Sequence, residues 1–357
     1  MKLSDKALRI LKGEEPVPFY LYSLAPAAAL YSFLGMLKAE LYRKKVLPSR
    51  RLPCTVISVG NLSSGGTGKT PFVLFVADYL IKKGLKPVIL TRGYRGRLEG
   101  RIAVVSDGRK IWLSTGDSGD EAALLARGLP GVPVVMGADR YNAGLAAWEA
   151  FCPDVFILDD GYQHLALQRD LNILLLDAAR PFGNGFTIPL GYLREHKRAR
   201  SRADMAVLTR SGAEVLELSN LFPPSVPVIR TSHRPSKLFE LATGREVAAA
   251  AISGKGVLAL SSVAGPGSFS LLLKELNANI LKQLSYPDHH GYGPQDFARI
   301  EGAAKVAGAD FIVTTEKDAV KLGGFRPAGV KVLVLGIRIE ITEGYETFER
   351  MMMEICG

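Results

Sequence analysis

The chain has 357 residues, 47% of them hydrophobic and 22% charged, a composition that excludes an intrinsically disordered protein and allows two units with separate cores. Its formal net charge of +10 points to an anionic partner, whether nucleic acid, an acidic membrane or a phosphorylated substrate. The three cysteines, Cys54, Cys152 and Cys356, show no C-x-x-C spacing, which excludes the common zinc cages and suits a reducing compartment. Cys54 and Cys152 lie in apolar stretches and are expected in the core.

The first element is apolar. Residues 17–37 carry no charge, about the ~20 residues needed to cross a bilayer. Pro26 interrupts this run and starts a helix expected to reach about Arg43, with Leu30, Phe33, Leu34, Leu37 and Leu41 on one face. Lys38, Arg43, Lys44, Lys45, Arg50 and Arg51 follow closely. An apolar face with a basic flank predicts a membrane-associated segment over residues 1–51, lying on an anionic leaflet or spanning the bilayer as a single anchor, with the rest of the chain in the cytoplasm.

Next comes an apolar run, Cys54 to Val59, then Ser58-Val-Gly-Asn-Leu-Ser-Ser-Gly-Gly-Thr-Gly-Lys-Thr-Pro71, then a helical stretch over Phe72–Ile81. Strand, glycine-rich turn and helix start are the context a phosphate-binding loop requires. Ser63, Ser64, Gly65, Gly66, Thr67 and Gly68 offer backbone N–H groups to the phosphates of a nucleotide, and the helix N-terminus adds partial positive charge. Lys69 would reach the terminal phosphates and the Thr70 hydroxyl would hold Mg²⁺. Ser63 stands where the G-x-x-x-x-G-K-[ST] pattern begins with glycine.

Short apolar runs then alternate with helical patterns: Pro87–Thr91, Val132–Met136, Val155–Leu158, Ile173–Asp177 and Met205–Thr209, with helices expected over Asp120–Arg127 and Arg140–Phe151. This predicts an α/β fold of the P-loop NTPase type, a mostly parallel sheet with helices on both faces. Asp107-Gly108 between Arg101–Ser106 and Lys110–Ser114 predicts an antiparallel hairpin. Prolines cluster at Phe222–Pro227, and a second α/β pattern follows at Val257–Ser261, Ala278–Leu284, Phe311–Thr315 and Val330–Leu335. The expected division is a kinase-like unit over 52–235 and a smaller α/β unit over 236–357 that closes a cleft.

Several clusters carry chemistry. Asp154–Asp160 is an apolar strand ending in two carboxylates, and phosphoryl transfer needs such a carboxylate opposite the loop threonine to hold Mg²⁺; Asp159 or Asp160 can do this. Asp120 and Glu121 follow glycines at a helix start, where one acid can serve as a cap or as a base. Arg92 and Tyr94, after the Pro87–Thr91 strand, offer a phosphate or substrate contact. Arg194 opens a basic run with Lys197, Arg198, Arg200 and Arg202 and can stabilise transferred phosphate. His289 and His290 lack a third metal ligand nearby, so one of them supporting a carboxylate base is the better reading. Thr314–Asp318 ends a strand and can touch nucleotide or seal the cleft; it lacks the N-K-x-D spacing used for guanine.

Together these motifs resemble the tetraacyldisaccharide 4′-kinase family of lipid A biosynthesis. The resemblance rests on Ser58–Pro71, Thr91–Tyr94, Gly119–Glu121, Asp159–His164, Pro189–Glu195, Ala264–Phe269, Pro287–His290 and Thr315–Asp318, in that order across nearly the whole chain. It implies ATP-dependent phosphorylation of the 4′-hydroxyl of a tetraacylated glucosamine disaccharide 1-phosphate, with ATP and Mg²⁺, at the cytoplasmic face of the inner membrane and with no nucleic-acid partner. It also implies Asp120 as base with His289 as its partner, Lys69 and Arg194 on the γ-phosphate, and Thr70, Asp159, Asp160 and Glu195 around Mg²⁺. Asn61, Arg92, Tyr94, Glu121, Gln163 and His164 would face the acceptor, and the 264–269 loop is given no role. A regulatory GTPase or metallochaperone also uses such a loop, but leaves the anchor and Pro287–His290 without purpose.

Overall fold

The computed structural model describes residues 3–210, 221–263, 266–288 and 290–357. His289 and the Ala264-Gly265 pair therefore lie outside the described residues. The N-terminal segment forms α1 (Leu3–Leu11), a short 3₁₀ turn and α2 (Ala25–Arg43), close to the expected limits. Then come β1 (Thr55–Asn61), α3 (Lys69–Lys82), β2 (Pro87–Thr91), β3 (Ala103–Asp107), α4 (Thr115–Ser118), α5 (Asp120–Gly128), β4 (Pro133–Met136), α6 (Arg140–Phe151), β5 (Val155–Asp159), β6 (Leu171–Asp177) and β7 (Met205–Thr209). The chain continues through β8 (Val228–Glu240), β9 (Glu246–Val247), β10 (Gly256–Ser261), α7 (Pro266–Glu275), β11 (Asn279–Ser285), α8 (Pro294–Ala307), β12 (Phe311–Thr315), α9 (Glu316–Ala319), β13 (Lys331–Glu343) and α10 (Tyr345–Cys356).

All these strands join one sheet in the order β11-β10-β12-β13-β8-β7-β6-β1-β5-β2-β4-β3, with β9 beside β8. Pairing is parallel except at β3–β4, β8–β13 and β8–β9. β1 is central and covered on both faces, so all of its residues after Thr55 are buried, the polar Ser58 and Asn61 included. Ile57 and Val59 pack with Phe72 and Val76 of α3, while Val56 packs with Phe156, Leu158 and Ala147 on the opposite face. In the C-terminal half, α7 supplies Leu272 and Leu273 to one face and α8 supplies Ile300 and Ala304 to the other.

The division expected after residue 235 falls inside β8, which pairs antiparallel with β13 from Glu240–Leu333 to Arg230–Glu343 across the middle of the sheet. α10 returns to the first half. Phe348 sits 5.4 Å from Phe75 and 5.2 Å from Tyr79, centroid to centroid, and is buried in the core around α3. The expected antiparallel turn forms, in short form: the Asp107 N–H donates to the Lys110 carbonyl at 3.2 Å and the Trp112 N–H to the Val105 carbonyl at 2.8 Å. β3 also pairs antiparallel with β4, and the second arm makes a single bridge, Ser106 to Ile111. Asp107 closes the turn by accepting from the backbone N–H of Arg109 and Lys110. Cys152 is corrected: it is exposed, in left-handed conformation at the C-terminus of α6, and Cys54 is half-buried.

The Phe19–Arg43 stretch, the 3₁₀ turn together with α2, is long and apolar enough to cross a membrane, yet little of it is buried. Leu30, Phe33, Leu34 and Leu37 are exposed, Phe33 by 56%. The helix rests on the body through Ala28 and Ser32, and the Ala28 carbonyl accepts from Thr187 Oγ1 at 2.8 Å. An uncovered apolar stripe of this kind marks a surface that meets lipid or another protein.

Candidate active site

The loop after β1 is held from within. Gly68 takes φ +82°, a left-handed conformation that suits glycine, and a Cβ there would lie 3.0 Å from His233 Nε2. The buried Asn61 side-chain amide donates to Ser63 Oγ, the Gly65 carbonyl and Thr67 Oγ1 at 3.0–3.2 Å. Its carbonyl oxygen accepts from Lys69 Nζ at 3.3 Å. From outside, Thr209 Oγ1 donates to the Thr67 carbonyl at 2.9 Å and Arg210 donates to the Gly66 carbonyl at 2.5 Å. Asn61, expected to face the acceptor, therefore shapes the phosphate loop instead. Gln163 holds the same strand, donating to the Asn61 carbonyl at 2.8 Å.

Lys69 is 8% exposed, and its Nζ lies 3.5 Å from Asp160 Oδ1. Arg194 reaches the other oxygen of that carboxylate at 2.6 Å. Asp160 has φ +53°, a region few side chains adopt, and follows β5 directly. Burial pushes its pKa up, but Lys69 and Arg194 outweigh this and hold it below the ordinary range. Asp159, one residue earlier, accepts from Thr91 Oγ1 at 3.1 Å. Burial, reinforced by Glu121 and Asp160, pushes its pKa up to about 7. Its Oδ1 is buried without a hydrogen-bond partner. Adjacent carboxylates with pKa values driven apart are a feature of sites that handle charge.

The turn after β2 is pressed against the start of α5: a Cβ on Gly119 would lie 2.2 Å from the Tyr94 carbonyl. Gly119 caps α5, so Asp120 is a first-turn acid and not the cap. Glu121, Arg92 and Tyr94 line the cleft, with Arg92 also paired to Glu99 at 3.1 Å. His164 lines it too; burial, then Arg140, pushes its pKa down to about 4. Glu195 lines the cleft, but its carboxylate is taken by Arg202 at 2.7 Å. Thr70 sits in the first turn of α3, half-buried.

The expected Asp120–His289 pairing falls on a residue outside the description. Its neighbour His290 bonds Asp296 Oδ2 at 3.0 Å and stacks on Tyr286 at 4.5 Å. Asp318 is fully buried, accepting from Ser262, Tyr292 and Thr315, so Thr314–Asp318 braces the C-terminal loops. Lys317 does line the cleft, paired to Asp288 at 2.7 Å.

Arg140 was missed in the sequence. It is 4% exposed and lines the cleft, donating to the Gly137 carbonyl at 2.6 Å, with Nε unpartnered. Burial pushes its pKa down to about 10, while Asp159 and Asp160 act to keep it charged. The available signal was a cation at the first position of a helix, where the dipole opposes it unless an anion is near.

Most of these residues line one cleft of about 2190 Å³; Asn61, Thr70, Asp120, Asp159 and Asp318 stand behind its lining. Its floor is the phosphate loop with Asp160, Arg194 and Arg140; Tyr286, Pro287 and His290 line the C-terminal side. Tyr31, Leu34, Gly35 and Lys38, at i, i+3, i+4 and i+7, bring one face of α2 to the same cleft.

A P-loop phosphotransferase is the class this fold and site define. Residues 21–356 match the family model for LpxK, tetraacyldisaccharide-1-P 4′-kinase. Tetraacyldisaccharide 4′-kinase of Pelobacter propionicus is 45% identical over 321 residues, 90% of this chain and 88% of that protein. The Syntrophus aciditrophicus protein of the same name is 40% identical, covering 99% of both chains. The ATP complex of "apo" form LpxK from Aquifex aeolicus superposes with a TM-score of 0.78, at 34% identity over 95% of this chain and all of that one. The chain belongs to the tetraacyldisaccharide 4′-kinase family.

Proposed function

We propose that this chain transfers the γ-phosphoryl group of ATP to the 4′-hydroxyl of a tetraacylated glucosamine disaccharide 1-phosphate, a step of lipid A biosynthesis, at the cytoplasmic surface of the inner membrane. One observation carries the reading: a single cleft is lined by a phosphate loop and by a face of an apolar, largely unburied helix. A nucleotide-only switch has no use for that second wall, whereas an acylated acceptor does. The test is incubation of the purified protein with ATP and the acylated disaccharide 1-phosphate, with product mass read directly. Gain of one phosphate at the 4′ position is expected; ATP turnover with unmodified acceptor would sink the reading.

The residues divide the work. The loop amides and Lys69 bind the β- and γ-phosphates, and Arg194 offsets charge spreading onto the transferred group. Thr70, Asp159 and Asp160 supply the hydroxyl and carboxylate oxygens that Mg²⁺ prefers, and the unpartnered Asp159 Oδ1 fits that need. No cluster of three or more His, Cys, Asp or Glu side chains suited to a metal occurs among the described residues. That agrees with an ion held by one or two carboxylates, water and substrate phosphates. Mg²⁺, when bound, neutralises phosphate charge. Glu195 joins this set only by leaving Arg202.

Asp120 is the proposed base for the acceptor hydroxyl, with His289 as its partner. Asp120→Ala is expected to lower kcat by about 10²–10⁴-fold with the KM for ATP near wild type. Unimpaired turnover would reduce Asp120 to a residue that complements the helix dipole. For the anchor, Leu30→Ser/Phe33→Ser/Leu34→Ser is expected to release the protein from anionic vesicles in a flotation assay. Unchanged flotation of the folded variant would place membrane attachment elsewhere.

A further inference from the structure

A second cavity, of about 630 Å³, lies beside the C-terminal turns of α2, against the 165–169 turn and the 195–202 stretch. Leu165 and Glu195 line both this cavity and the catalytic cleft, so the two adjoin. Arginines 43, 169, 198 and 202 line it, against the carboxylates of Glu40 and Glu195. Those carboxylates are already engaged: Glu40 with Arg43 at 2.5 Å and Glu195 with Arg202 at 2.7 Å. Arg169 donates to the His164 carbonyl at 3.0 Å, and neither it nor Arg198 has a carboxylate at ion-pair distance among the described residues. Burial, and then Arg202 nearby, pushes the Arg169 pKa down, while the more distant Asp204 and Glu195 act the other way. The cavity sits at the basic end of the apolar helix, the depth of the headgroup layer once α2 is embedded.

We propose that this second cavity binds the phosphate of a membrane lipid, with Arg169 and Arg198 as its cationic contacts. Guanidinium forks suit phosphate oxygens, and a cavity partly shielded from water screens the attraction less than an open surface does. Two sources share this chemistry. One is the acceptor's own 1-phosphate, whose sugar would reach the phosphate loop through the shared wall; this source rests on the kinase reading above. The other is the headgroup of a bilayer phospholipid, which does not.

Arg169→Gln/Arg198→Gln separates them, with the exposed Arg198→Gln alone as a milder variant should the pair fail to fold. If the acceptor supplies the phosphate, its KM rises about tenfold or more, the KM for ATP is unchanged, and an acceptor lacking the 1-phosphate shows no difference between variant and wild type. If the bilayer supplies it, the variant loses the wild-type preference for phosphatidylglycerol over phosphatidylcholine vesicles in flotation without acceptor. A variant matching wild type in both assays overturns the site. Wild-type protein that prefers phosphatidylglycerol through these arginines but phosphorylates no acceptor would keep the site and overturn the kinase reading.

Discussion

Lys69→Ala is expected to lower phosphoryl transfer by at least about 10²–10³-fold, the usual loss when one preorganised charge at a developing anion is removed. Lys69 is 8% exposed and fixed between the Asn61 carbonyl oxygen at 3.3 Å and Asp160 at 3.5 Å, so its ammonium is held in place before nucleotide arrives. A preorganised charge need not reorient during the reaction, which is why its loss falls on kcat. Asp160 retains Arg194 at 2.6 Å, so the fold is expected to survive. Lys69→Arg is not expected to rescue, because a planar fork does not fit the space of a point charge beside Asn61. The check is single-turnover transfer with labelled ATP alongside circular dichroism. Near-wild-type transfer by folded Lys69→Ala would remove the phosphate loop from the chemistry.

Much of this was legible along the chain because it depends on local order. The run Thr55–Asn61, the glycines and Lys69-Thr70 specify strand, loop and helix without reference to anything distant, and they form as expected. The alternation of apolar runs gave the parallel sheet for the same reason. What depends on distant pairing was not legible. β3 pairs with β4 along its length as well as meeting residues 110–113 across the turn, and nothing near β3 names β4 as its partner. α10 follows the second α/β pattern in sequence yet buries Phe348 against α3, and nothing near residue 348 names that partner. Arg140 reads as an ordinary surface cation until β4 and β5 lie in one sheet and bring it near Asp159 and Asp160. Asn61 was singled out, but its role was inverted, since an amide two residues before Ser63 can serve substrate or loop and only the folded turn decides.

Asp159→Asn is expected to make the free protein more stable at pH 8 while lowering turnover by two or more orders of magnitude. The carboxyl is 1% exposed, and burial, then Glu121 and Asp160, push its pKa up to about 7. In the unfolded chain it ionises near pH 4. The folded state thus holds a proton that the unfolded state has released, and stability falls as pH rises from about 4 to about 7, with the full cost present above that. At about 1.36 kcal/mol per pKa unit the cost is at most on the order of 4 kcal/mol. Asparagine removes the charge and keeps an oxygen that can accept from Thr91 Oγ1, 3.1 Å away in the native pair. His164 and His233 act with the opposite sign. Burial pushes both down to about 4, so they take up protons on unfolding and remove stability as pH falls from about 6.5 to 4. Thermal unfolding of the variant should therefore lose its fall towards alkaline pH and keep the loss towards acid. The same substitution removes a carboxylate proposed to hold Mg²⁺, so stabilisation by Mg²⁺ and ATP should shrink relative to wild type. An Asp159→Asn protein no more stable than wild type at pH 8 would show that this carboxylate carries no buried-charge penalty and that its pKa is not raised in the folded protein.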